Sequence, residues 1–139
     1  MTIVPDEFNT RIALLKRVQP ELVEIHYKSG CVFTTEDVAD VQIARFKMMG
    51  ARPYATLTII PEDVEFTLEN IRVDHTAPER GMGRVTATAI VARSVMIERI
   101  THIYFNHFPQ LQQVLITQDE GEARKWVQVQ LKELGLTGS

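Results

Sequence analysis

The spacing of apolar positions changes period several times along the chain, and each change marks an element. Residues 12–18 form a short apolar run. Residues 22–28 alternate, with Val23, Ile25 and Tyr27 on one side and Glu24 and His26 on the other. A period of two is that of a strand with one buried face. Pro20 separates these two runs, and Ser29-Gly30 marks a tight turn into Cys31-Val32-Phe33. The opening therefore reads as an antiparallel meander of three strands. From Thr34 the period lengthens. Thr34-Thr35-Glu36-Asp37 supplies a hydroxyl N-cap and first-turn acids, Val38, Val41, Ala44 and Met48 recur at helical spacing, and Gly50 is placed as a left-handed C-cap. Phe46, Met48 and Met49 read as packing at that helix end.

After Arg52-Pro53 forces extended backbone, residues 54–60 are apolar and β-branched, as in a central strand. Pro61-Glu62-Asp63 is a turn, residues 64–73 are expected to hold a short helix, and residues 77–83 form a loop. Residues 85–92 read as a strand buried on both faces. Ser94 caps a helix carrying Ile97, Ile100, Ile103 and Tyr104, which Pro109 follows. Residues 114–117 form a last short strand. Asp119 with Glu122 resembles a capping box, and Ala123, Trp126, Val127, Leu131 and Leu134 make an amphipathic stripe that Gly135 ends. The order β-β-β-α-β-α-β-α-β-α implies an α/β fold with a mixed sheet: an N-terminal antiparallel meander, then alternating β-α units with helices packed on the sheet.

Composition narrows the class. The 139 residues fit one domain, 1–139, with a core of about residues 11–134. A hydrophobic fraction of 45% against 24% charged is that of a folded globular chain. The net charge of −3 argues against a nucleic-acid partner. The single Cys31 precludes an intramolecular disulfide and suits a cytoplasmic location. Residues 1–8 have neither a basic region nor an apolar core, so no signal peptide is expected, and no apolar run is long enough to span a membrane.

Several phrases carry a resemblance. Glu24-Ile25-His26-Tyr27-Lys28-Ser29-Gly30, the strands within 55–60 and 87–94, and the ending Thr117-Gln118-Asp119-Glu120-Gly121-Glu122-Ala123-Arg124-Lys125-Trp126, in this order, resemble the STAS family. These are the sulfate-transporter and anti-sigma-factor-antagonist domains, which include the SpoIIAA-like proteins. The chain is similar, more narrowly, to small stand-alone bacterial proteins grouped with the STAS and CRAL-TRIO lipid-transfer folds. The resemblance covers about residues 11–134 and implies a SpoIIAA-like mixed sheet. In the anti-sigma antagonists a Ser or Thr is phosphorylated at the start of the helix after the central strand. The matching stretch here is Val64-Glu65-Phe66-Thr67-Leu68-Glu69-Asn70. Glu69 or Asn70 occupies the acceptor place and Thr67 falls two residues early, which counts against that switch. Glu69 stands there either as a mimic of the charged state or as an ordinary first-turn acid.

Candidate chemistry is sparse. His26, His75, His102 and His107 form no metal-ligand spacing with one another or with Cys31, so no metal or other cofactor is expected. His26 and Cys31 straddle a turn, a spacing compatible with a thiolate pair or with plain packing. Arg80 and Arg84 frame glycines that suit anion binding or a flexible connection. Arg93 and Ser94 lie where a strand ends and a helix begins, a place that favours ligands and anions in open α/β sheets, although a plain N-cap is the simpler role for Ser94. The stripe rule leaves Phe105 or Phe108 outside the core, either as a patch for another subunit or as ordinary packing. With no nucleophile–base set assembled, the expectation is a non-enzymatic STAS-like protein-interaction or regulatory module, its partner a protein and possibly a second copy in a homodimer. The alternative is a small-ligand or lipid-binding module of the CRAL-TRIO-like kind.

Overall fold

The computed structural model describes residues 6–50, 52–66, 85–108, 113–133 and 135. Its elements in chain order are β1 (Glu7–Asn9), β2 (Ala13–Gln19), β3 (Leu22–Tyr27), β4 (Val32–Phe33), α1 (Thr35–Met49), β5 (Tyr54–Ile60), β6 (Glu65–Phe66), β7 (Val85–Ala92), α2 (Val95–His107), β8 (Gln113–Thr117) and α3 (Glu120–Glu133). Six strands form one sheet in the order β1-β2-β3-β5-β7-β8. β1, β2 and β3 pair antiparallel, whereas β3, β5, β7 and β8 run parallel, so their carboxyl ends share one edge.

The sheet is covered on both faces. Val41, Ala44 and Met48 of α1 and Ile97 of α2 pack with Leu15, Val23, Ile25, Tyr54 and Ile90. Ala123, Val127 and Leu131 of α3 pack on the other face, over Leu22, Ala55, Leu57, Ile59, Ala87, Ala89 and Val91. Three alanines beneath α3 allow its axis close to the strands. Each fully buried Leu or Ile, such as Leu57 or Ile97, contributes about 1.5–3 kcal/mol. A hydroxyl pair bridges the two inner strands, Thr56 Oγ1 donating to Thr88 Oγ1 at 3.0 Å.

The caps follow the sequence. Asp37 N–H donates to Thr34 Oγ1, Ile97 N–H to Ser94 Oγ and Glu122 N–H to Asp119 Oδ1. Gly50 closes α1 with its N–H on the Phe46 carbonyl, at φ 60° and ψ −133°. The φ is positive as expected, but the ψ is not that of a left-handed helical turn.

Four expectations need correction. The strand at 22–28 is not open on one side, because α3 covers the Glu24 face and Glu24 is buried. Val32–Phe33 is no third strand of the meander. It pairs parallel with Glu65–Phe66 in a separate two-stranded sheet, and β1 completes the meander instead. The start of the helix expected at 64–73 is extended, since Glu65–Phe66 pairs with Val32–Phe33 and Phe66 stacks edge-on against Phe33. Apolar side chains at Val64 and Phe66 serve that small sheet as well as they would a helix. The remainder of that expectation, 67–73, lies outside the described residues, as do the loop at 77–83 and the side chain of Leu134. The outward apolar residues of α2 also differ from those expected, as set out below.

Candidate functional site

The parallel strands bring their carboxyl ends to one edge, and the connections that leave it carry Arg93 and Glu120. Arg93 follows β7, and its N–H donates to the Ile60 carbonyl, extending the pairing one residue. Thr117 ends β8, and its Oγ1 accepts from Asp119 N–H, which turns the chain into α3. Glu120 opens α3 and comes to face Arg93, whose Nη2 lies 2.5 Å from Glu120 Oε1. One turn later, Arg124 donates from Nε to Glu120 Oε2 at 2.8 Å. Its Nη1 reaches across the sheet to Glu24 Oε2 at 2.8 Å, with Nη2 at 3.4 Å from Oε1. Glu24 Oε1 also lies 2.7 Å from His26 Nε2. That contact requires the tautomer with its proton on Nε2. Beside this chain of charges, Gln118 Nε2 donates to Glu98 Oε1 at 2.9 Å.

The arrangement neutralises itself. Burial pushes the Glu24 carboxyl up, but hydrogen bonds from Arg124 and His26 outweigh that and hold it below the usual carboxylate range. The hydrogen bond from Arg124, helped by Arg93, lowers Glu120 against a smaller cost of burial. The two carboxylates in turn raise Arg124, Glu24 contributing more. Such a set holds geometry, but it leaves no carboxylic acid near neutral pH to give or take a proton.

Among the described residues, two hollows can be traced. A groove of about 270 Å³ runs between α3 and the β2–β3 turn. Its floor is Leu22, Leu57 and Val127, with Arg124–Glu24 at one end. A 3.1 Å hydrogen bond from Gln128 to Gln19 spans its rim. A larger cavity of about 620 Å³ opens at the start of α1, lined by Arg11, Cys31, Thr34, Thr35, Glu36 and Asp37 among others. Burial raises the Cys31 thiol, with the charges of Asp63 and Asp37 adding to it. His26 and Cys31 are not brought together: His26 faces α3, whereas Cys31 packs against the cluster under α1.

Of the residues singled out from sequence, Arg93 and Ser94 are at the carboxyl edge, Arg93 in an ion pair and Ser94 as an N-cap. Thr67, Glu69, Asn70, Arg80 and Arg84 lie outside the described residues. Phe105 and Phe108 are half-buried rather than exposed. Phe105 packs against the core, and Phe108 stacks on Tyr104 and His107. The outward apolar residues of α2 are instead Val95, Met96 and Ile103, at 52%, 62% and 62% exposure. Sequence reasoning missed Glu24, His26, Glu120 and Arg124 as a set. The available signals were a carboxylate amid apolar strand residues and the four-residue spacing from Glu120 to Arg124. Among the described residues no cluster of three or more His, Cys, Asp or Glu is arranged to hold a metal ion, and no helix is long and apolar enough to cross a membrane.

No protein-family model and no curated protein matches the chain. Among solved structures it is similar to an uncharacterised protein of the DUF3478 family with a SpoIIAA-like fold from Shewanella loihica PV-4. The TM-score is 0.58 at 15% identity, covering 83% of this chain and 91% of that one. The chain has a SpoIIAA-like fold, the one its element order and short phrases led us to expect. At that identity the likeness concerns the fold and carries no activity with it.

Proposed function

We propose that the chain is a non-enzymatic protein-interaction module that docks a protein partner on the outer side of α2. One observation carries this reading: Val95, Met96 and Ile103 face outward from a helix whose opposite side already fills the core. A surface helix ordinarily turns polar residues to water, so apolar side chains there are consistent with a covered surface. Glu24 and Glu120 are held as anions by Arg124 and Arg93, which agrees with a recognition role.

The ligand-binding alternative has the 620 Å³ cavity in its favour, a volume adequate for a small molecule. Its lining of Arg11, Thr34, Thr35, Glu36 and Asp37 suits a lipid tail poorly. Photo-crosslinking separates the readings. A crosslinking amino acid in place of Met96, in the full chain in its native cells, is expected to give a discrete protein adduct, identified by mass spectrometry. The same group in place of Lys125, on the other side of the sheet, is expected to give none. No adduct from Met96, together with a co-purifying small molecule lost on substitution of Thr35, would overturn the proposal.

A further inference from the structure

A helix that turns apolar residues outward needs a complement, and the same chain carries one. The outward stripe of α2 is Val95, Met96, Arg99, His102 and Ile103, all exposed, with no carboxylate among them. The outward stripe of α1 is Glu36, Asp40, Ile43 and Lys47, also exposed, with Ile43 at 50%. One face is apolar with a cation at its centre; the other is charged, two acids and a lysine around the single apolar Ile43. Neither Arg99 nor Asp40 has an ion-pair partner among the described residues.

We infer that a second copy of this chain is the partner, α1 of each copy lying against α2 of the other, with Asp40 facing the partner's Arg99. The inference rests on the interaction reading above and names its occupant. The topology permits it. Both helices lead from the carboxyl end of one parallel strand to the start of the next, so they run in the same sense on the same face of the sheet. A two-fold axis between the copies, parallel to the helices, sets α1 against the partner's α2 and repeats that contact by symmetry.

The spacings agree. With Asp40 opposite the partner's Arg99, Ile43 is about 4.5 Å further along its helix and the partner's Ile103 about 6 Å along its own, within side-chain reach. Glu36 then meets the start of the partner's α2 and Lys47 its end, the places where a helix dipole favours an acid and a base. Pairing α2 with itself about a two-fold axis would instead bring Arg99 toward the partner's Arg99. An anionic membrane is the weaker occupant, because a lipid surface is held by several clustered Lys and Arg and this stripe has one.

The test is a charge exchange read by light scattering behind size-exclusion chromatography, from about 10 μM to about 1 mM chain. The wild-type chain is expected to dimerise within that range. Arg99→Asp and Asp40→Arg each set like charges together in both contacts and are expected to weaken the dimer at least about tenfold. Mixing the two variants restores opposite charges at both contacts, so a mixed dimer of wild-type affinity is expected. Both sites are exposed, and unchanged circular dichroism and melting temperature confirm that the variants fold. A wild-type chain that stays monomeric overturns the inference, as does a dimer indifferent to both substitutions, or one weakened by both without rescue on mixing. A monomer that binds phosphatidylglycerol vesicles through Arg99 overturns it in favour of the membrane. A monomeric result leaves the interaction reading standing, since the crosslink from Met96 then reports a different protein.

Discussion

Replacing Arg124 with methionine isolates what the charge network contributes. Glu24 is buried, its side chain 10% exposed, and the substitution leaves it bonded to His26 alone among the described residues. Removing one partner of a buried ion pair costs about 3–5 kcal/mol, because the other charge stays out of water. The Arg124 side chain is 41% exposed, so solvent already screens part of the pair. The expected loss is therefore about 2–3 kcal/mol, from a total stability of about 5–15 kcal/mol. The melting temperature should fall by roughly 6–15 °C. Glu24→Leu removes the buried charge instead and leaves Arg124 its bond to Glu120, so it should cost about 1 kcal/mol or less. The double variant places two apolar side chains beside Leu22, Leu57 and Val127, and should return to within about 1 kcal/mol of wild type. The coupling in this cycle is then about 1–4 kcal/mol.

Urea titration followed by the fluorescence of Trp126, the only tryptophan and a residue of α3, measures all four chains. The pH dependence supplies a second check. In the wild type the Glu24 carboxyl sits below its ordinary value of 4.5, so the pair stabilises fully above that pH and its contribution is lost as the pH falls through the folded value. In Arg124→Met, burial is opposed by His26 alone and the carboxyl moves up. A carboxyl raised in the folded state contributes at low pH and loses that contribution as the pH rises through the folded value. The gap between variant and wild type should therefore narrow on acidification from pH 7 to about pH 4. A loss below about 0.5 kcal/mol, or a gap that widens with acid, would refute the account of Glu24 as a buried, Arg-dependent carboxylate.

Two further outcomes follow from the packing and from Cys31. Ile97, fully buried on the inward face of α2, should cost about 2–5 kcal/mol when changed to alanine, and a loss under 1 kcal/mol by the same titration would mean that α2 does not seat as described. The Cys31 thiol, raised by burial and by Asp63 and Asp37, should alkylate at neutral pH at least about tenfold more slowly in the folded chain than in urea; equal rates by mass spectrometry would contradict that environment.

What the sequence disclosed divides along physical lines. The core of the sheet was legible, because residues 54–60 and 85–92 are short runs, apolar or small on both faces and rich in β-branched residues, which favours a doubly covered strand over a buried helix. The caps at Thr34, Ser94 and Asp119 were legible because a short polar side chain before an apolar period has few other uses. Residues 64–66 misled, since two apolar positions two apart fit a strand pair as well as a helix start. Glu24 misled more instructively. Alternation places it on a face, but only the approach of α3, a hundred residues on, decides that the face is buried. The outward side of α2 was read from its aromatics, yet Phe105 packs against the core, Phe108 is half-buried on Tyr104 and His107, and the thinner Met96 and Ile103 turn out. Rotation of a helix about its axis depends on packing that no local period specifies.

The same consideration explains why a costly buried charge persists under α3. The surface beneath that helix sets Ala55, Ala87 and Ala89 among Leu22, Leu57, Ile59 and Val91, and contact between apolar surfaces is non-directional. An apolar stripe of Ala123, Val127 and Leu131 would pack on it in more than one rotation or shift. Arg124 and Glu120, fixed on one side to Glu24 and on the other to Arg93, select a single placement. On this argument the charges set register rather than add stability, which is the best-attested use of a buried ion pair. The apolar double variant separates the two roles. If register is the role, it should unfold at nearly the wild-type midpoint while the amide signals of α3 broaden or double. Sharp, single signals at undiminished stability would show that α3 needs no such guide.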